Sequence, residues 1–285
     1  MTPRLQRRHL PDGRLHLQDG PIDLIIEAWG EPGNVRAAYA AAANRMLTVL
    51  DELCAELASL RAPAGPQTQV TSPVARRMHK AVRHHAQTFI TPMAAVAGAV
   101  ADEVLAAMLA AAPLTRAYVN NGGDIALHLT NGTSFTTGLV DRPDQPSLFG
   151  KTNVHASDPV RGIATSGWRG RSFSLGIADA VTVLGRNAAT ADAAATLIAN
   201  AVDLPGHPAI MRLPANQLDP ASDLGPRLVT RAVGALPDHD IATALAAGCQ
   251  MAETLLSTGT IHAVALHLQG QTRMATISLL ETQNA

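Results

Sequence analysis

Lysine is nearly missing from this chain of 285 residues: only Lys80 and Lys151 occur, and the other fixed cations are arginines. Aromatic residues make up 3% of the sequence, which leaves few rings on which bases could stack. Lys and Arg together number 22 against 23 Asp and Glu, a formal net charge of −1, so the overall electrostatic case for nucleic-acid binding is absent. Cys54 and Cys249 are the two cysteines, far apart and outside any CxxC pattern. They cannot build a zinc knuckle by themselves, and both fall in helical patterns where a buried, reduced thiol is expected. No apolar run follows the basic start Met1 to His9, because Pro11-Asp12-Gly13 intervenes. The most membrane-like stretch, Met93 to Ala112, carries Asp102 and Glu103 at its middle, where ionised groups in lipid would be costly. The expectation is a cytoplasmic chain with neither a nucleic-acid nor a membrane partner.

Hydrophobic residues reach 47%, mostly Ala, Leu and Val, enough for a sizeable core. Leu15 to Leu17 and Ile22 to Trp29 flank Asp19-Gly20 and read as a hairpin. A long helical pattern follows over Val35 to Leu60 with Asn34 as its cap, then a loop from Arg61 to Pro73. Thr91-Pro92 opens an Ala-rich helix over Met93 to Ala111. Tyr118 to Asn120 reads as a strand end. Ile125 to Leu129 and Phe135 to Val140 are expected to pair around Asn131-Gly132. Ser172 to Leu184 reads as a strand, Thr190 as the cap of a helix from Ala191 to Val202, and Leu204 to Pro226 as a Pro-rich connection. A helix near Ile241 to Leu256 and a hairpin of Ile261 to Leu268 with Arg273 to Leu280 close the chain. Helices interleaved with antiparallel hairpins predict an α+β fold, expected as one domain over residues 1–285.

Three segments carry the polar groups that chemistry needs. In Thr190-Ala191-Asp192-Ala193-Ala194-Ala195-Thr196, Asp192 and Thr196 lie one helical turn apart on the same face. A carboxylate and a hydroxyl, completed by carbonyl and phosphate oxygens, form a hard set suited to Mg²⁺. The same pair also reads as a first-turn acid favoured by the helix dipole and a hydroxyl bonded back to its own helix. Asn120-Asn121-Gly122-Gly123-Asp124 offers backbone N–H groups at a strand end and a carboxylate to orient a ligand, or else a plain Asx-rich turn. Thr165-Ser166-Gly167-Trp168-Arg169-Gly170-Arg171 holds two hydroxyls and two guanidiniums, the materials of a phosphate cradle or of a polar turn with an exposed Arg pair. It is neither a nucleophile elbow, since Ala164 and Trp168 replace the flanking glycines, nor a P-loop. His84-His85 and His262/His267 have no zinc-pair spacing. The basic run Arg76, Arg77, His79, Lys80, Arg83, His84, His85 reads as a solvated helix face or as a source of cations for a phosphorylated ligand.

Taken in order, Gly122-Gly123-Asp124, Thr165-Ser166-Gly167 and Val181-Thr182-Val183 leading to Ala191-Asp192-Ala193-Ala194-Ala195-Thr196 resemble the GGD, TSG and A-D-A-x-A-T series of the ApbE-like superfamily. Thr91-Pro92-Met93-Ala94 through Gly98 to Asp102 is similar to that family's helix with a Gly and a following Asp. The strings T-P-M-A and A-T-S-G-W-R-G-R-S-F-S-L-G-I-A-D-A look most like an uncharacterised cytosolic branch of it. The resemblance covers roughly Thr91 to Asp203.

It implies an α+β fold related to the tunnelling folds. It also implies Mg²⁺ held by Asp192 and Thr196 with a backbone carbonyl of the Gly-Asp helix region, and FAD as donor of an FMN group to a Thr or Ser of an acceptor protein. Asp124, Gly122, Gly123 and the Thr165-Ser166-Gly167 loop would line the site, with Arg169 and Arg171 on phosphate. Two departures stand out. Ala97 occupies the place of a Lys in the transferases, and Ser174 to Asp179 replaces their stretch of His followed by Asp-Pro. The sequence therefore predicts a phosphorylated small-molecule ligand with Mg²⁺, served either by a divergent transferase or by a binding module without flavinyl transfer. A homo-oligomer built on the Ala-rich helices is a further expectation.

Overall fold

The computed structural model describes residues 4–65, 68–85, 87–140 and 148–276. They fall into two compact units, the first drawn from the described residues within 1–135, 154–164 and 186–192, the second from those within 136–153, 165–185 and 193–285. Each contains helices and antiparallel strands, the α+β class expected from the sequence.

The first unit starts with β1 (Gln6–His9), β2 (Leu15–Asp19) and β3 (Ile22–Trp29), an antiparallel run in which Leu15 stands opposite Ile26 and Leu17 opposite Leu24. Strand alternation sends Leu15, Leu17, Ile22, Leu24 and Ile26 inward, all buried. Helix α1 (Pro32–Ala55) covers them with a buried apolar stripe that runs through Ala38, Ala42, Ala43, Met46, Val49 and Leu53. Its cap is Glu31, with Pro32 at the first position, so Asn34 lies inside the helix instead of capping it. The fixed φ of Pro suits that position. The helical pattern also breaks at Glu56 before α2 (Leu57–Arg61).

Ser72 caps α3 (Pro73–Val82), accepting the Ala75 N–H, and a 3₁₀ turn, Arg83–His85, ends it. Pro92–Ala95 forms a second 3₁₀ turn, so Thr91-Pro92 opens that turn and the α-helix, α4 (Val96–Ala111), begins three residues later than expected. The stretch Pro92–Ala111 is long and apolar enough to cross a membrane. Here it packs on α1 and α3 and on the hairpin of β4 (Arg116–Asn121) and β5 (Asp124–Leu129). Its two acids have partners, Glu103 with Arg45 and Arg77 and Asp102 with backbone amides.

The chain continues through β6 (Ser134–Val140) and β7 (Leu148–His155), which pair with each other. The expected pairing of Ile125–Leu129 with Phe135–Val140 therefore does not form. β5 pairs along its length with β4, and β8 (Gly162–Ser166) meets its other edge at Ile125 and Ala126, while β6 takes β7 as its partner.

In the second unit the expected strand over Ser172–Leu184 shortens to β9 (Ala180–Gly185). Its first half is an irregular loop held by Asn200, whose Oδ1 accepts from Ser174 Oγ and the Leu175 N–H. Helix α5 (Ala188–Ala201) starts before Thr190. Asn187 Oδ1 accepts the Thr190 N–H at 2.8 Å, so Asn187 and not Thr190 supplies the cap. The Pro-rich connection is also ordered, holding β10 (Ile210–Pro214) and α6 (Ala215–Leu218); β11 (Leu228–Val233), which follows it, pairs with β10. Helix α7 (Asp238–Ser257) packs on β12 (Ile261–Leu268) and β13 (Gln271–Thr276), and β12 pairs with β9 on its other side. Residues 277–280 of the expected last strand lie outside the described residues. Both cysteines are free; Cys249 is half-buried in α7, whereas Cys54 is exposed in α1, because the buried stripe there runs through Leu53.

Two glycines set how closely the first unit packs. A Cβ on Gly98 of α4 would lie 2.3 Å from the Ala188 carbonyl oxygen, and one on Gly162 of β8 would lie 2.0 Å from the Asn187 carbonyl carbon. Both obstacles are backbone, which cannot rotate away. Gly162→Ala is expected to lower stability by about 1–3 kcal/mol through overpacking. Urea unfolding of the variant checks this, and an unchanged midpoint would contradict it.

Candidate functional site

The start of α5 lies against the start of α4, and each helix supplies the acid that caps the other. Asp102, on α4, accepts the N–H groups of Ala188 at 3.0 Å and Ala189 at 2.9 Å. Asp192, on α5, accepts the Gly98 N–H at 3.0 Å and also bonds the backbone of Ala97. Helix starts leave unpaired N–H groups and carry the positive end of the dipole, so a carboxylate suits each place. Gly98 permits the approach, because any side chain there would meet the Ala188 backbone.

The Asn120–Asp124 segment closes the same corner of the first unit. Gly122 and Gly123 both have positive φ, 65° and 114°, the geometry that ties β4 to β5 in a tight turn and that other residues rarely adopt. Asn120 Oδ1 accepts the Gly123 N–H at 2.8 Å, so that amide is committed to the turn. The Asn121 carboxamide is buried and donates to the Ala97 carbonyl at 3.1 Å. This links the turn to the first residues of α4. Asp124 lies close enough for its charge to act on Asp192.

The electrostatics follow from this crowding. Burial first, then the charges of Asp124 and Asp102, push the Asp192 carboxyl well above the usual carboxylate range, against the pull of the Gly98 and Ala97 amides. Burial also raises the Asp102 carboxyl, against its two amide bonds and the charge of Arg77. Among the described residues, no Lys, Arg or His forms an ion pair with Asp192. Nor does any group of three or more His, Cys, Asp or Glu side chains there stand ready to hold a metal.

The first unit thus brings Asp192 together with Gly122, Gly123 and Asp124. Thr196 lies one turn further along α5, half-buried, in the second unit. That unit also holds the Thr165–Arg171 segment. Thr165 Oγ1 shares a hydrogen bond with Thr182 Oγ1 at 2.9 Å, and Ser166 ends β8, half-buried. Gly167 fits tightly, since a Cβ there would lie 2.4 Å from the Asp179 carbonyl oxygen. Arg169 donates to the buried Asp179 carboxylate at 2.7 Å and stacks 4.3 Å from the Trp168 ring centre. The same carboxylate accepts from Trp168 Nε1 at 3.1 Å and the Gln269 N–H at 2.7 Å. Arg171 is exposed.

Asp102 and Asp179 organise these segments but are absent from the sequence-derived site, and Asn121, inside the Asn120–Asp124 candidate, was given no role of its own. The signal for Asp102 was present: a carboxylate inside an Ala-rich apolar helix needs a polar partner. Nothing in the spacing indicated that the partner would be the first turn of α5.

A family model described as "AbpE bacteria" matches residues 7–274. The chain belongs to that family. The relationship inferred from motif order is therefore borne out. A UPF0280 protein of Methanopyrus kandleri is 40% identical over 111 residues, 39% of this chain and 43% of the relative. Another, from Methanothrix thermoacetophila, is 36% identical over 143 residues, 46% of this chain and 52% of the relative. The chain spans about half the length of these curated relatives. A solved mutant form of the flavin transferase ApbE from Vibrio cholerae aligns over 94% of this chain and 99% of its own with a TM-score of 0.51. At 12% identity that likeness concerns the fold.

Two outcomes follow for the ApbE-like chain. Asp102→Ala removes both acceptors from the α5 start and is expected to cost about 1–3 kcal/mol in chemical unfolding, with Asp102→Asn recovering part; no loss in either would contradict the capping role. A carboxyl whose folded-state pKa is raised holds its proton more tightly when folded, so without metal its ionisation lowers stability as pH rises above the ordinary carboxylate range. Asp192→Asn keeps one acceptor and no charge. Its urea midpoint is expected to fall less than the wild type's between about pH 4 and pH 7, and parallel profiles would rule this out.

Proposed function

We propose that this family member binds a phosphorylated or nucleotide-like small molecule together with Mg²⁺, with the metal at Asp192. The observation that carries this reading is a half-buried carboxylate crowded by two others, with no cationic side chain paired to it among the described residues. Such a place favours a bound cation. The donors fit Mg²⁺: they are all oxygens, and the few protein ligands suit an ion that keeps waters and shares phosphate oxygens. Asp192 would hold it, with Thr196 on the same helix and backbone carbonyls completing the set. When bound, Mg²⁺ stabilises negative charge on phosphoryl oxygens.

The chain's own residues supply position. The Gly98 N–H orients Asp192, Asp102 fixes the first turn of α5, and Asn121 ties the β4–β5 turn to Ala97. Asp124 would orient a ligand hydroxyl. FAD is the first ligand to test, because the resemblance implies it. A grip on FAD of the transferase kind does not fit the residues present: Ala97 carries no cation, and Arg169 is already engaged by Asp179. These two observations favour a second reading, ligand binding without flavinyl transfer, and we derive no transfer step.

Thermal unfolding with Mg²⁺ and FAD, FMN or ADP tests the proposal. Ligand near a hundredfold above its dissociation constant should stabilise the wild type by about 2.7 kcal/mol. Asp192→Asn should lose the Mg²⁺-dependent part while staying folded. Equal stabilisation of both proteins, or none of the wild type, would refute the metal site. Covalent flavin on a Thr- or Ser-bearing acceptor peptide would restore the transferase reading over the binding one.

A further inference from the structure

We propose that the outer face of α3 is a docking surface for an extended acidic segment of a partner protein. Arg76, Lys80 and Arg83 are exposed and follow one another at intervals of four and three residues, so they form one stripe along the helix and its closing 3₁₀ turn. The opposite face, Val74, Ala75, Met78 and Val82, is completely buried. The orientation of the stripe is therefore fixed by packing.

The arrangement is unfavourable by itself. Like charges four apart repel, and Arg76 lies near the positive end of the helix dipole, where the first turn contains no acid. Lys80 and Arg83, near the other end, suit the dipole; Arg76 does not. Its neighbour Arg77 is offset by Glu103 at 2.9 Å. Among the described residues, no acid pairs with Arg76, Lys80 or Arg83. A local conflict of this kind is relieved by an external anion.

The shape of the stripe selects the partner. From Arg76 to Arg83 the helix rises about 10 Å, so the three cations do not converge on one phosphate and instead match a row of anions. No Phe, Tyr or Trp lies between Ser72 and Thr88 to stack on bases, and the chain's net charge is −1. The apolar side of α3 is buried, so a lipid surface would gain no inserted side chain. An acidic peptide needs only the charges.

Fluorescence anisotropy of a labelled oligoglutamate peptide at low salt tests the surface on the full chain. We expect binding that weakens as salt rises, and a loss of at least about tenfold on reversing all three charges, Arg76→Glu with Lys80→Glu and Arg83→Glu. The single change Arg76→Gln, which relieves the dipole conflict and leaves the fold intact, should weaken binding in the same direction without lowering the melting temperature. Reversal of Arg7 and Arg8 on β1 should leave binding unchanged. Absence of binding, equal loss in the β1 control, or tighter retention of inorganic pyrophosphate, oligothymidylate or phosphatidylserine vesicles than of the peptide would each overturn the proposal.

Discussion

The first unit depends on two carboxylates exchanged between helices. Asp102 of α4 holds the first amides of α5, and Asp192 of α5 holds the first amides of α4. Neither contact forms unless Gly98 lets the α5 backbone approach α4. Each carboxylate is favoured by a helix start and disfavoured by burial. Burial and like charge outweigh the amides at Asp192, since the net effect is to raise its carboxyl. The same exchange that orders the corner leaves it short of positive charge. Order and the crowding of like charge are thus two consequences of one arrangement, and the structural bonds of Asp192 do not compete with the proposed cation, since a carboxylate has lone pairs for both.

Around this corner, the β4–β5 turn is constrained from both sides. Its paired glycines supply backbone geometry unavailable to other residues, and Asn120 and Asn121 use their side chains on backbone partners. The Gly-Gly-Asp string therefore serves first as a joint that positions Asp124. A parallel economy governs the second unit, where Asp179 gathers Trp168, Arg169 and the Gln269 amide. The Thr165–Arg171 segment, a phosphate cradle by composition, has its first arginine turned toward a carboxylate of the chain itself.

Much of this was legible in the sequence. The Asp19-Gly20 turn placed β2 and β3, a long helical pattern marked α1 and an Ala-rich one α4, and motif order led to the family. The errors have local causes. Ser172–Asp179 has strand-like composition, but its polar side chains and Gly176 serve packing against α5: a Cβ on Gly176 would sit 2.1 Å from the Ala199 oxygen. Thr190 is a good cap by type, yet Asn187 precedes it and takes the place. Asn34 lies inside α1 because Pro32 already starts the helix, with Glu31 at the cap position. The partner of Asp102 lies 86 residues away in sequence, beyond the reach of spacing arguments.

The proposed function stands or falls with a divalent cation at the crowded carboxylate of the α4–α5 corner. Anomalous diffraction from a crystal grown with Mn²⁺ in place of Mg²⁺ tests it most directly, since manganese shares the preference for oxygen ligands and is located by its own signal. We expect a peak bonded to an Asp192 oxygen. A well-ordered crystal with no peak there, or with manganese only at other carboxylates, would contradict it.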